Sequence, residues 1–415
     1  MIYEDVTLNG HIIDSLMLPK TLDMILALGG DFSISEIDIG RTKSDSSRAV
    51  IRVEASSELE LNKIIGKLKV QGITIKESED ARFAEAPKDG VFPDDFYSTT
   101  NLETFVKYKE IWIPVDGQEM DVGIRFDQDK VKFTGTPMND VKKGEFYIVG
   151  HKGVRVTPYE DCAVSRGFRF MSSTVSTEKP TGRLVKEVSQ RLLSARDKRL
   201  KKLFVLGPAV VHGGGEDIVV NLIEAGCVDI LFAGNALATH DIELSMFGTS
   251  LGVSMTGGNY AEHGNENHLR AINTIRSVGS IKSAVGEGVL TSGIMYSCVK
   301  NNVPFVLAGS IRDDGPLPEV ITDVIKAQDV MREYLHNLGV VVVVGTVLHG
   351  IAVGNLLPAA VPMVCVDTNP ASVTKFADRG SFQCLGIVMD AASFFNDLYN
   401  TTICTRSGND VVSAL

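Results

Sequence analysis

Apolar runs that end in small residues recur through the second half of the chain and constrain the fold more than any other feature. Residues 203–206 are all apolar and run into Gly207-Pro208. Residues 228–232 run into Ala233-Gly234-Asn235-Ala236, and 304–307 into Ala308-Gly309-Ser310. Residues 339–344 and 361–366 repeat the apolar run. Stretches at 218–225 and 292–300 carry helical spacing between them. Strands apolar on both faces belong in a parallel sheet, with helices covering it. The fold class expected is therefore α/β, with an open, mostly parallel sheet over residues 176–415. Ligands on such sheets gather at the carboxyl ends of the strands.

One stretch of this region needs a membrane test. Residues 338–366 contain no Asp, Glu, Lys or Arg. A membrane-spanning helix needs about 20 largely apolar residues. Here Gly339, Gly345, Gly350, Gly354, Pro358 and Pro362 interrupt the run, and 340–344 is strongly β-prone. Strand, short helix, strand is the expected order, with no membrane association. The formal net charge of −11 also argues against a general nucleic-acid binder. Arg196, Lys198, Arg199, Lys201 and Lys202 read as the basic end of a helix over 180–202, where cations favour the C-terminus. Six widely spaced cysteines form no CxxC pair, which fits free thiols in a reducing cytoplasm. The start Met1-Ile2-Tyr3-Glu4-Asp5 lacks the pattern of a signal peptide.

Residues 1–80 read as a small βαββαβ unit of ferredoxin-like order. Its strands are expected at 11–15, 32–39, 49–53 and 73–75, and its helices at 18–28 and 57–69. Residues 81–175 are expected to be a β-rich module, with strands near 110–115, 128–134 and 145–149. Residues 92–101 read as a polar loop, which can line a ligand site or simply face solvent. A turn-rich linker near 170–185 has the composition of a hinge.

The expected chemistry sits where the parallel strands end. Gly207-Pro208 and, past His212, Gly213-Gly214-Gly215 lie between a strand and a helix, where backbone amides can approach a pyrophosphate. The segment is neither the GxGxxG fingerprint nor a P-loop, and a merely flexible loop is the alternative. Asp367, before Thr368-Asn369, can accept ribose hydroxyls and so favours NAD over NADP, or it can cap a turn. Glu262, His263 and His268 flank Asn265 in a dense polar loop. Substrate or cofactor contact suits them better than metal, because the spacing is not H-E-x-x-H. Arg312-Asp313-Asp314 can hold an amino acid, the arginine on its carboxylate and an aspartate on its ammonium, or can shape a turn. His349 is either a proton shuttle or a core histidine.

Longer strings then carry a resemblance. Residues 247–253 (FGTSLGV), 308–318 (AGSIRDDGPLP) and 378–383 (DRGSFQ), with 207–211 and 233–242, resemble a family of archaea and cyanobacteria. It was first labelled lysine-ketoglutarate reductase/saccharopine dehydrogenase-like (LOR/SDH). The resemblance covers essentially the whole chain. It implies an NAD-dependent ornithine cyclodeaminase, converting L-ornithine to L-proline and ammonia through an internal hydride cycle. The same unit forms the C-terminal half of a cyanobacterial arginine dihydrolase fusion, but no room is expected here for a dihydrolase domain. The sheet also resembles the NAD-binding fold of deoxyhypusine synthase.

By this resemblance NAD would contact Gly207, Pro208, Gly213, Gly214 and Gly215 on one loop, and Gly234, Asn235 and Ala236 on the next. Gly309, Ser310, Asn265, Asn355, Asp367 and Asn369 complete the expected cofactor set. Asp313 is the base candidate, with Asp314 beside it, and Arg312 would hold the substrate carboxylate. His268 and Glu262 would face the amines, and His349 is a further catalytic candidate. A homo-oligomer is expected. A second enzyme reading is another NAD-dependent amino-acid or polyamine transformation, which would need a buried Schiff-base lysine at Lys375. A non-catalytic NAD-responsive protein is the third.

Overall fold

In the computed structural model of the chain, the described residues are 2–10, 12, 17–40, 45, 47–57, 60, 61, 64, 65, 67, 68, 74, 75, 79–157, 181–251, 253, 254, 266–313, 315–378 and 384–412. The chain divides into two units. One takes residues 1–169 with 355–360, the other 170–354 with 361–415.

The first unit opens with an antiparallel sheet of four strands. β1 (Ile2–Gly10), β2 (Asp31–Asp38), β3 (Ser47–Ala55) and β4 (Thr74–Ile75) lie in the order β2-β3-β1-β4. Helix α1 (Met17–Ala27) joins β1 to β2, and helical residues at 60–68 lie between β3 and β4. This is the expected ferredoxin-like order. Every second residue of β3 is buried, from Ser47 to Ala55. Leu18, Ile25, Leu61, Ile64 and Leu68 cover that face. The first strand of this sheet is β1, ahead of the expected 11–15, of which only Ile12 is among the described residues. It pairs with β3 from Ile2 opposite Ala55 to Gly10 opposite Ser47, and Ile12 lies in a turn. Among the described side chains of β1 only Val6 and Leu8 are buried and apolar, and Glu4, Asp5 and Thr7 hide the alternation.

A second sheet in this unit holds seven strands: β5 (Arg82–Glu85), β6 (Thr104–Tyr108), β7 (Ile111–Asp116), β8 (Gly123–Asp127), β9 (Lys132–Thr136), β10 (Phe146–Val149) and β11 (Val154–Val156). Phe83, Phe126 and Phe133 stack at its core, with the last two rings 4.9 Å apart. The strand expected at 128–134 is instead the β8–β9 turn and the start of β9. Val131 there takes a φ of 49°, outside the strand region. The loop at 92–101 is more buried than its polarity suggests, since Tyr97, Thr99 and Asn101 are all buried. Segment 355–360 completes the unit. The Met120 amide donates to the Asn355 carbonyl at 2.9 Å, and the Ala359 amide to the Asn101 carbonyl at 2.7 Å.

The second unit begins with α2 (Thr181–Asp197), β12 (Lys201–Leu206), the one-turn helix α3 (Ala209–His212), α4 (Glu216–Glu224) and β13 (Ile230–Gly234). Next come α5 (Asn235–Phe247), a small hairpin of β14 (Thr249–Ser250) and β15 (Val253–Ser254), α6 (Asn267–Val278), α7 (Ile281–Gly286) and α8 (Ile294–Lys300). It ends with β16 (Phe305–Ala308), β17 (Val320–Ile321), α9 (Val324–Tyr334), β18 (Leu338–Val344), α10 (Leu348–Leu356), β19 (Met363–Asp367), α11 (Pro370–Asp378), β20 (Cys384–Val388) and α12 (Ala391–Val412). Helix α2 stops earlier than the expected 202, because Lys201 and Lys202 already belong to β12. Lys202 is buried there and pairs with Asp229.

Seven strands form one parallel sheet in the order β17-β16-β13-β12-β18-β19-β20. Residues 340–344 of β18 are buried without interruption, because helices cover both faces. The uncharged stretch is thus β18, α10 and β19. No helix among the described residues is long and apolar enough to cross a membrane. From β12 the chain builds outward through β13 on one side and returns through β18 on the other. That reversal opens a crevice between the ends of β12 and β18.

Candidate active site

The crevice is framed by two glycines. A Cβ on Gly207 would overlap the Gly345 carbonyl, so the loops after β12 and β18 run backbone against backbone. Gly345 itself takes a φ of 64°, which glycine accepts without strain. That turn leads into α10, whose first turn carries no acidic residue. The opening amides of any helix lack internal partners and favour an anion. Helix α4 offers a poorer seat. Its first turn holds Glu216 and Asp217. The amides of Gly213, Gly214 and Gly215 already donate to the carbonyls of Ala209, Val211 and Val210. The triple glycine therefore closes one helix and opens the next.

Beside the crevice, three more strand ends meet. A Cβ on Gly234, at the end of β13, would lie 2.6 Å from His349 Cε1 of α10. Burial holds the His349 imidazole below its ordinary range, and the Asp313 carboxylate partly offsets this. Asp313 is held by its own turn: the Ser310 amide donates to Oδ2 at 2.8 Å and the Ser310 hydroxyl to Oδ1 at 3.2 Å. Arg312 is exposed on that turn, its amide donating to Ser310 Oγ. Gly309 precedes it, its amide donating to Ile321 of β17.

Other expected residues take quieter places. Asn235 is buried, and its Oδ1 accepts the Leu317 amide at 3.0 Å. Pro208 caps α3 and Ala236 lies in the first turn of α5. Asp367 ends β19, where its Oδ1 accepts the Asn369 amide at 2.8 Å; Asn369 Oδ1 in turn accepts from Ala371. Asn355 lies near the far end of α10. Lys375 is exposed in the last turn of α11, which removes the buried Schiff-base lysine that the polyamine reading required. Glu262, His263, Asn265, Asp314 and most of the expected hinge lie outside the described residues.

Sequence reasoning missed a second group in the same unit. His268, at the start of α6, lies 6.3 Å ring to ring from His240 of α5, and His240 lies 4.7 Å from His212 of α3. The His240 Nδ1–H donates to Glu243 Oε2 at 2.8 Å. The Thr249 hydroxyl donates to Glu243 Oε1 at 2.9 Å, and Asn267 Nδ2 to Thr249 Oγ1 at 3.0 Å. Next to His240, Asp241 is wholly buried and accepts the amides of Ile294 and Met295 at the start of α8. Burial pushes its carboxyl up to about 7, against the pull of those amides. Burial likewise pushes Glu216 up to about 8, helped by Asp241 and Asp217. The available signal was local: His240, Asp241 and Glu243 interrupt a helix whose neighbours are mostly apolar.

Comparisons with known proteins match residues 3–398 of the chain. The family described as the C-terminal Rossmann fold of ArgZ-like arginine dihydrolases matches residues 186–398. The LOR/SDH bifunctional-enzyme conserved region matches 3–102, and the first region of the ArgZ-like C-terminal part matches 103–185. An ornithine cyclodeaminase of Methanothermobacter thermautotrophicus is 50% identical over 391 residues, 94% of this chain and 95% of that protein. The chain belongs to the ornithine cyclodeaminase family. A bifunctional member, arginine dihydrolase/ornithine cyclodeaminase AgrE of a Nostoc species, is 41% identical over 94% of this chain and 57% of its own. Among solved structures of the family, apo ArgZ superposes with a TM-score of 0.85 at 32% identity, over 98% of this chain and 59% of that one. AgrE in complex with ornithine and NAD+ superposes with a TM-score of 0.54 at 38% identity, over 98% and 58%.

Proposed function

We infer that the protein is an ornithine cyclodeaminase, converting L-ornithine to L-proline and ammonia with NAD as a recycled cofactor. The observation that carries this reading is the 50% identity to the Methanothermobacter enzyme over nearly the full length of both proteins. The crevice suits the cofactor. In this reading the opening amides of α10 would take the pyrophosphate, and Asp367, at the end of the sheet's next strand, the ribose hydroxyls. Gly207 lets the β12 and β18 loops approach closely, and Gly234 leaves room for the His349 ring. When bound, NAD would supply a hydride acceptor that leaves ornithine's Cα as an imine carbon, and a hydride donor that completes proline.

The chain's own residues do the rest. The exposed Arg312 guanidinium pairs with the ornithine carboxylate. Asp313, its oxygens fixed by Ser310, offers a standing negative charge to an ammonium. His349, kept largely neutral by burial, takes a proton at a ring nitrogen and gives one back. The freed δ-amine attacks Cα, the bond to the α-nitrogen breaks, and that nitrogen leaves protonated as ammonia. His268, Glu262, Asn265 and Asp314 remain part of this reading as contacts to the amines or the cofactor.

The same reading places three modules at 1–80, 81–175 and 176–415, acting on a small amino acid in the cytoplasm as a homo-oligomer. Its biological setting is proline formation from ornithine. The described cysteines Cys227, Cys298, Cys365 and Cys384 are buried free thiols, which suits a reducing compartment. The test is anaerobic incubation of purified protein with L-ornithine and NAD+. Proline and ammonia are expected in equal amounts, with no net NADH. Bound NAD with neither product would return the protein to the wider class of NAD-dependent amino-acid enzymes.

A further inference from the structure

We propose that His240, positioned by Glu243, is the acid–base group that carries a proton from ornithine's δ-ammonium to the departing α-nitrogen. The inference rests on the ornithine cyclodeaminase reading and assigns it a proton path. The overall reaction turns one ornithine cation into neutral zwitterionic proline and one ammonium ion, so no proton is gained or lost. Every proton taken from the substrate is therefore returned within the turnover: His349 serves the α-ammonium before hydride leaves Cα, and a second group must free the δ-amine and protonate the nitrogen that leaves. His240 Nε2 accepts the proton from the δ-ammonium, and the freed amine forms the new N–C bond to Cα. As the old Cα–N bond breaks, the imidazolium gives the proton to the leaving nitrogen.

The geometry points to His240 for three reasons. First, its tautomer is fixed. Glu243 is wholly buried and accepts the Nδ1–H at 2.8 Å, which leaves the lone pair on Nε2. Second, the positioning carboxylate is itself locked. Its other oxygen accepts the Thr249 hydroxyl, which in turn accepts from the Asn267 amide, so α5, β14 and α6 all hold it in place. A side chain placed only to fill the core would not need three elements to aim it. Third, His240 is not sealed. Its side chain keeps 13% exposure where that of Glu243 has none. His212, on the helix that follows β12, and His268, at the start of α6, flank it, and His212 Nδ1 lies 2.7 Å from Ser250 Oγ.

The titratable groups facing the His240 ring among the described residues are Glu243 on its own helix, His212 on α3 and His268 on α6. Asp241 turns instead to the amides of α8, with Glu216 of α4 near it. Burial and the neighbouring His240 both keep His212 below its ordinary range, so His212 adds little positive charge at neutral pH.

The experiment compares wild type with His240→Asn, Glu243→Gln and Glu243→Asp. It measures turnover across pH, ornithine and NAD+ affinity by calorimetry, and melting temperature. For His240→Asn, kcat should fall by about 100-fold or more while ornithine affinity changes by less than about threefold. Glu243→Gln should lower kcat by about tenfold or more with little change in ornithine affinity, because the imidazole loses the carboxylate that aims it. Glu243→Asp should restore part of the lost rate. A His240→Asn protein that keeps its rate overturns the proposal. So does a Glu243→Gln protein that keeps its rate, or a rate loss matched by equal losses of melting temperature and ligand affinity. Wild type that forms no proline overturns the cyclodeaminase reading, and the proposal with it. Wild-type turnover beside an equally fast His240→Asn overturns the proposal alone.

Discussion

The ferredoxin-like sheet and the parallel sheet solve the burial problem in opposite ways. In β3 burial alternates, with one face packed and the other open. In β18 it runs unbroken from Val340 to Val344, because helices lie on both faces. An alternating strand tolerates change on its open side. A doubly covered strand has no such side, so its only freedom lies in the loops beyond its ends. That is where Gly207, Gly345, Asp313 and His349 are found. The edge strand β2 is the extreme of the open kind, with Ile34 and Ile37 exposed.

Substitutions can break this contrast or sharpen it. The largest effect is expected at Gly207, where an added methyl must force the β12 and β18 loops apart. Gly207→Ala should cost about 2–3 kcal/mol in urea unfolding and abolish NAD+ binding in calorimetry. A variant that binds normally would mean the crevice is not the cofactor seat. Val342→Ala, in the middle of β18, should cost about 2 kcal/mol. Ile37→Ala on β2 should stay within about 0.5 kcal/mol. Equal costs at the two positions would erase the distinction.

Acid and alkali should also separate the two sheets. Glu216 and Asp241, in the parallel unit, hold their protons up to about 8 and about 7. Unfolded, they would release them near the ordinary carboxylate range. Their contribution is therefore full at low pH and is lost as pH rises toward 8. Glu216→Gln should flatten that decline in melting temperature between pH 5 and 8. A variant curve parallel to wild type would sink the assignment. Asp5, on β1, has the opposite sign. Its bond to Arg52 holds the carboxyl below its ordinary range, so its contribution disappears only as pH falls through that lowered range. The pair is exposed, and Asp5→Ala should leave no resolvable change in melting temperature at pH 7.

The same contrast explains what could be read from sequence. Strands β12, β13, β16, β18 and β19 announce themselves as apolar runs, because burial on both faces removes polar residues. β17 is only two residues long, and Gly386 interrupts β20, so neither stands out. β1 is hard to place from sequence because only Val6 and Leu8 mark its buried face, with Glu4, Asp5 and Thr7 before and between them. In the site, Asp313 and His349 were legible because they follow strands. The α10 seat was harder to see, since its binding groups are backbone amides that any sequence carries. His240 and Glu243 lie inside a helix, where a charged pair at that spacing is usually a solvated face. Only the packing of α3 and α6 against α5 shows otherwise.

Segment 355–360 gives the molecule a property that its two-unit division conceals. Those six residues count with the first unit, yet they lie inside the stretch that leads from β18 to β19 of the second. The polypeptide therefore passes between the units three times, near residues 169, 354 and 360. No single cut yields two complete halves. A cut near 170 would strip the Met120 amide and the Asn101 carbonyl of their partners, however cleanly the rest survived. Exchanging one half for a foreign counterpart therefore breaks hydrogen bonds on both sides of the splice.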